Sequence, residues 1–261
     1  MSMVRSEVLT MLFAAIEKGT TATWYARIID LPGSITKASS RETLLQNLES
    51  ELNEYILWLK HYYEEISISP DERIIIKEEL FNIPQLGESG GTVALFEFDK
   101  QAITSERLGY YLKLMEFSRQ SLLELIGEIP LEKLSDPLPD SNRTLMQVLT
   151  HISNAEEWYK SRLGKEADIL YEKYIGMAIT RLDKKPVLER LELVRRGCIN
   201  VLKDLVVQKG ARIFTRDAFT NYPKEQWTSH KVLRRFIEHE REHYYSIKKR
   251  ISEFIGNENL F

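Results

Sequence analysis

The sequence predicts two domains, a small α+β domain in the order β-β-β-α-β over about residues 1–100 and an all-α four-helix bundle over about residues 104–261. Three observations carry this. Short segments before residue 40 are rich in the apolar, aromatic and β-branched residues that suit strands, whereas past Thr104 apolar residues recur at three and four residues over four long segments. The two parts also differ in charge, −7 over the first 100 residues and +4 over the rest. At 261 residues with 43% hydrophobic side chains, the chain has material for two cores.

The first strand is expected around Val8 to Phe13, with Val8, Thr10 and Leu12 on one face and a break at Gly19 and Thr20. The second runs from Thr21 to Ile29, rich in aromatic and β-branched residues that suit a pleated surface. Asp30-Leu31-Pro32-Gly33 reads as a turn, because Pro sets its own φ and Gly accepts the positive φ that follows. Ser34 to Ala38 then returns as a third strand. Ser40 opens a helix whose Leu44, Leu48, Leu52, Tyr55, Ile56 and Leu59 form a stripe able to cover the sheet. From Ser67 to Gly91 the pattern is irregular, with Pro70, Asn82 and Pro84 setting Ile74 to Phe81 apart from a last strand at Val93 to Phe98. Asp99 and Lys100 close the domain.

Beyond Thr104 no strand is needed. Thr104-Ser105 caps a helix reaching Gly127, with Leu108, Tyr111, Met115, Leu122 and Leu125 on one stripe. Pro130, Pro137 and Pro139 end it, and Asn142 or Thr144 starts a second helix ending near Gly164. A less regular stretch from Tyr171 to Ile179 leads to Pro186, which suits the first turn of a third helix stopping near Gly210. The fourth helix spans about Gln226 to Ile255. Four amphipathic helices of this length are what a bundle requires.

The histidines separate by their place on these helices. On the fourth, Val232, Phe236, His239, His243 and Ile247 share the inward row, and on the second His151 shares one with Val148, Ala155 and Trp158. Two His at i and i+4 reach one metal ion together, and a third from a facing helix completes a three-nitrogen face with open positions. The alternative is that inward His residues are neutral and satisfied by hydrogen bonds. The single cysteine, Cys198, excludes both an intrachain disulfide framework and a thiolate-rich zinc site, and its apolar stripe reads as core. His61, after the first domain's helix, and His230, off the inward row of the fourth, read as surface residues, while Glu156, Glu240 and Glu242 read as solvated faces, with orientation of an imidazole or action as a base as the alternative.

The segments Val232 to His243 and Thr144 to Glu156 resemble the DinB-like superfamily of four-helix bundles over roughly residues 104–261. The resemblance implies a divalent ion, zinc or nickel, at His151, His239 and His243, because the family's triad is one His on the second helix and an H-x-x-x-H pair on the last. It also implies a transferase working with low-molecular-weight thiols or a hydrolase of a small molecule, although many members have no assigned reaction. Tyr25 to Gly33, with the helix after Ser40, is similar to HicB-like domains, which bind partner proteins. The rival reading is accordingly a non-enzymatic regulatory or protein-interaction module.

Other classes lose support. The net charge of −3 gives no general attraction to nucleic acid, and no P-loop, nucleophile elbow or dinucleotide fingerprint is present. No run approaches the roughly 20 apolar residues of a membrane span, and no secretory leader pattern opens the chain. The expectations are a cytoplasmic protein whose partners are a small-molecule substrate or thiol and, as a homodimer, a second copy. The catalytic residues are left unassigned.

Overall fold

The computed structural model describes residues 11–63, 68–127, 129–137 and 142–254. The expected strand residues Val8 to Thr10, the loop residue Pro139 and the expected helix end at Ile255 lie outside the described residues. The chain divides into two compact units, Met1–Phe98 with Thr220–Tyr222, and Asp99–Phe219 with Pro223–Phe261.

The first unit is a small mixed sheet with one helix. Strands β1 (Met11–Gly19), β2 (Trp24–Ile28), β3 (Thr36–Ala38) and β4 (Arg73–Ile83) stand in the order β3-β2-β1-β4. The β1–β2 and β2–β3 pairs are antiparallel, and β4 joins β1 in parallel after the crossover through α1 (Arg41–Tyr62). Ser40 caps α1 by accepting from the Thr43 amide at 3.1 Å. All six residues of the expected stripe are buried, and α1 packs on β2 and β3. The turn forms as its residues dictate, with Gly33 at φ 93° and the Ser34 amide donating to Leu31 O at 2.9 Å. Tyr55 Oη donates to Pro32 O at 2.7 Å, which ties the helix to that turn.

Two expectations fail in this unit. The last strand is Arg73–Ile83, inside the stretch that reads as irregular, and Val93 to Phe98 is not a strand. The second segment is extended, apolar at all but Glu97 and buried at Ala94 and Phe96, as a strand would be, but it crosses the other face of the sheet as a strap. Its backbone is satisfied by side chains: Ala94 N donates to Glu17 Oε2 at 2.6 Å and Glu97 N to Glu78 Oε2 at 2.9 Å. Phe96 is fully buried with Ala15 and Ala94, and the Arg27 guanidinium lies over its ring at 4.8 Å while pairing with Glu17. Covered on both faces, β1 runs past Phe13 to Gly19 as a continuous buried run through Ala14, Ala15 and Ile16.

The second unit is helical. Helices α2 (Ser105–Gly127), α3 (Leu145–Ser161), α6 (Val187–Lys209) and α7 (Ser229–Phe254) form a four-helix bundle in which α2 and α3 each pack on both α6 and α7. Its apolar core includes Leu122, Leu145, Leu149, Ile152, Leu191 and Ile247. Thr144 starts α3 with a reciprocal cap: the Gln147 amide donates to Thr144 Oγ1 at 3.1 Å, and the Thr144 amide to Gln147 Oε1 at 2.9 Å.

The less regular stretch proves helical as well, as α4 (Lys165–Ile175) and α5 (Ile179–Leu182). Gly197 lets α4 approach α6, since a Cβ there would meet Tyr171 Cε2 at 2.9 Å. A two-residue pair of strands, β5 (Phe214–Thr215) and β6 (Gln226–Trp227), corrects the expectation of no strand and delays the start of α7 to Ser229. The Thr228 hydroxyl, accepting from the Lys231 amide at 3.1 Å, marks that start.

The larger surprise is α7, where every residue from Ser229 to Arg241 is buried. Charged residues survive in such a place only when paired. Arg234 binds the buried Asp99 carboxylate through two nitrogens at 2.8 and 2.9 Å and also reaches Glu238. Arg235 donates to Glu238 at 2.9 Å, and Lys231 to Glu225 at 3.0 Å. Among the described residues, no helix is long and apolar enough to cross a membrane.

Candidate metal centre

Helical spacing delivers the three histidines to one place. His239 and His243 are one turn apart on α7, and His151 comes from α3, which packs against it. One nitrogen from each ring lies within 4.8 Å of the other two. His239 Nε2 stands 3.1 Å from His151 Nε2 and 3.2 Å from His243 Nε2, and the ring centroids are separated by 4.5 to 5.0 Å. Two nitrogens bound to one tetrahedral zinc at about 2.05 Å would be about 3.3 Å apart, so the rings are already spaced as ligands.

Electrostatics favours the same state. Burial, reinforced by His243, Arg235 and His151, pushes His239 well below the usual histidine pKa. His151 is also lowered, by burial and then by Arg143, with Glu242 opposing. His151 and His239 are therefore favoured in the neutral form, the form that ligates a metal ion.

Tyr159 and Arg235 line the buried side. The Tyr159 ring sits 5.7 Å edge-on from that of His239, and its hydroxyl accepts from Arg235 Nη2 at 3.1 Å. His151 and His243 are partly exposed, whereas His239 is 8% exposed, so approach is from the side of the first two. Neither Tyr159 nor Arg235 was singled out by sequence. Arg235 carried a usable signal, since it lies four residues before His239 on the same helical row.

The other candidates are placed differently. His61 is exposed as expected, but His230 is 1% exposed and its Nε2 lies 2.7 Å from Tyr111 Oη. Cys198 is fully buried, and burial raises its thiol pKa, which makes it a core residue. Glu156 and Glu240 are buried rather than solvated, and bind guanidinium groups instead of imidazoles. Arg119 donates to Glu240 Oε1 at 2.6 Å and to Glu156 Oε1 at 2.5 Å, and Arg195 donates to both carboxylates, at 2.9 Å to Glu240 Oε2. Burial raises the Glu240 pKa, but Arg119 and Arg195 outweigh it and hold the carboxyl below its usual value. Glu242 is partly exposed.

Four packed helices with three imidazoles converging between two of them define the class of protein. The chain belongs to the DinB superfamily, whose family model matches residues 114–247, a span that contains all three histidines. Among solved structures, the chain is similar to YfiT from Bacillus subtilis, described as a probable metal-dependent hydrolase with an unusual four-helix bundle topology. The identity is 18%, the match covers 66% of this chain and 98% of that one, and the TM-score is 0.43. No curated protein matches the chain.

Proposed function

We propose that the bundle holds one divalent ion, zinc or nickel, on His151, His239 and His243, and that the protein is a metal-dependent enzyme acting on a small molecule, as a thiol-dependent transferase or a hydrolase. The observation that carries this is the convergence of three Nε2 atoms, with neighbouring distances of 3.1 and 3.2 Å. When bound, such an ion supplies Lewis acidity that makes water or a small thiol a stronger nucleophile at neutral pH. The chain's own part is to keep His151 and His239 neutral, to close the buried side with Tyr159 and Arg235, and to leave the His151 and His243 side for a substrate. For the N-terminal unit we propose the HicB-like role of recruiting a partner protein.

Elemental analysis of protein purified without added metal tests the reading. About one ion per chain is expected, falling to near zero in His239→Ala. Protein that carries no ion and takes up none on dialysis against zinc or nickel would overturn it. Metal-loaded protein can then be assayed with small thiols and electrophilic acceptors, where turnover lost in His239→Ala supports the enzyme and metal without turnover favours a regulatory module.

A further inference from the structure

We propose that the buried ring of Arg119, Glu156, Arg195 and Glu240 is the positioning device of the histidine cluster, fixing the rotation and height of α7 against α3. Each of the four bundle helices contributes one member: Arg119 from α2, Glu156 from α3, Arg195 from α6 and Glu240 from α7. All four are at most 8% exposed, and every arginine binds both glutamates, so the ring is closed and electrically neutral. The arginines also tie backbone to backbone. Arg119 Nη1 donates to Leu191 O on α6 at 2.9 Å, and Arg195 Nη1 to Met115 O on α2 at 2.8 Å.

The geometry gives this ring a task that apolar packing leaves open. On α7 no apolar residue is fully buried between Ile237 and Ile247, and the residues Glu238 to Arg241 are all buried and polar. Hydrophobic contact therefore holds α7 from either side of His239 and His243, through Ile237 and Ile247, and no apolar residue of α7 fixes it at their own level. Hydrogen bonds do, because they are directional. Sliding α7 by one residue moves it about 1.5 Å and turns it by about 100°, whereas metal ligands tolerate about 0.2 Å. Glu240 follows His239 directly, so a rotation that breaks the ring also swings the imidazole away. Buried ion pairs contribute little net stability and are best attested as devices of register, which fits this placement.

The decisive variant replaces all four by apolar residues of similar volume: Arg119→Met, Glu156→Leu, Arg195→Met and Glu240→Leu. Its melting temperature should be equal or higher, while cobalt(II) affinity falls about 10- to 100-fold, as for loss of other groups that orient ligands. The consequence for affinity rests on the metal reading, so a metal-free readout accompanies it. Nuclear Overhauser contacts between the His151 and His239 rings, present in the wild type, should weaken or vanish. A folded variant that keeps those contacts, and cobalt affinity within about twofold, overturns the proposal. Wild-type protein that shows the ring contacts but takes no cobalt overturns the metal reading instead, and the ring contacts still decide on positioning.

Should the quadruple variant fail to fold, Glu240→Gln, which keeps the shape and removes one charge, is compared with Glu157→Gln. Glu157 pairs with Arg190 between α3 and α6, outside the ring. Positioning predicts loosened ring contacts in the first alone. Equal loss in both would mean a merely structural role.

Discussion

Single charged residues taught most about where sequence reasoning stops. Spacing alone brought His151, His239 and His243 to inward rows, because helical periodicity is local. It gave Glu156, Glu240 and His230 to the surface, because what decides their burial is a partner far along the chain, such as Arg119, 121 positions before Glu240. Lys231 shows the cost of such burial. Burial lowers its pKa from 10.5 to about 8, against the opposing pull of Glu225. Between those two values the unfolded chain holds the proton that the folded one has released, so stability from this group rises with pH. Relative to Lys231→Met, the wild type should gain about 3 kcal/mol from pH 8 to pH 10.5 in denaturant titrations, because one proton's difference between the two states is worth about 1.4 kcal/mol per pH unit. A gap between the two proteins that does not change with pH would show that the amine keeps its ordinary pKa.

At the scale of elements, caps and stripes were legible and mimicry was not. The sequence offered Asn142 or Thr144 as the start of α3, the structure uses Thr144, and its removal tests what the cap contributes: Thr144→Ala should cost about 1 kcal/mol in unfolding free energy. The strap at Val93 to Phe98 carries the apolar, aromatic composition of a strand, and only the carboxylates of Glu17 and Glu78, both distant in sequence, reveal where the amides of Ala94 and Glu97 go. β4 was obscured by Pro70, Asn82 and Pro84, which read as breaks; Asn82, at φ 61°, does turn the chain, but only at the end of the strand. α4 was missed because its residues serve a contact rather than a long stripe. That contact is the closeness of Tyr171 to Gly197, and Gly197→Ala should lower stability by about 1–3 kcal/mol in thermal or denaturant unfolding despite alanine's better helix propensity. A neutral or stabilising outcome would show that α4 yields freely.

For the whole molecule, the metal reading makes stability depend on concentration. Zinc or nickel at about 100 times its dissociation constant should stabilise the fold by about 2.7 kcal/mol, raising the unfolding midpoint in wild type and leaving His239→Ala unmoved. Hydrogen exchange should place the added protection on α3 and α7. The general layout, a small sheet followed by helices, was legible because composition and periodicity change near Thr104. The interior of the bundle was not, because its last helix looks amphipathic and is yet buried on every face from Ser229 to Arg241.

That ring of two arginines and two glutamates also bears on how the chain is made. α7 is the last of the four helices to leave the ribosome, and it brings Glu240. Until α7 arrives, Arg119 and Arg195 share Glu156 alone, one positive charge too many for a dry interior, so the groove between α2, α3 and α6 stays open to water until Glu240 completes the ring.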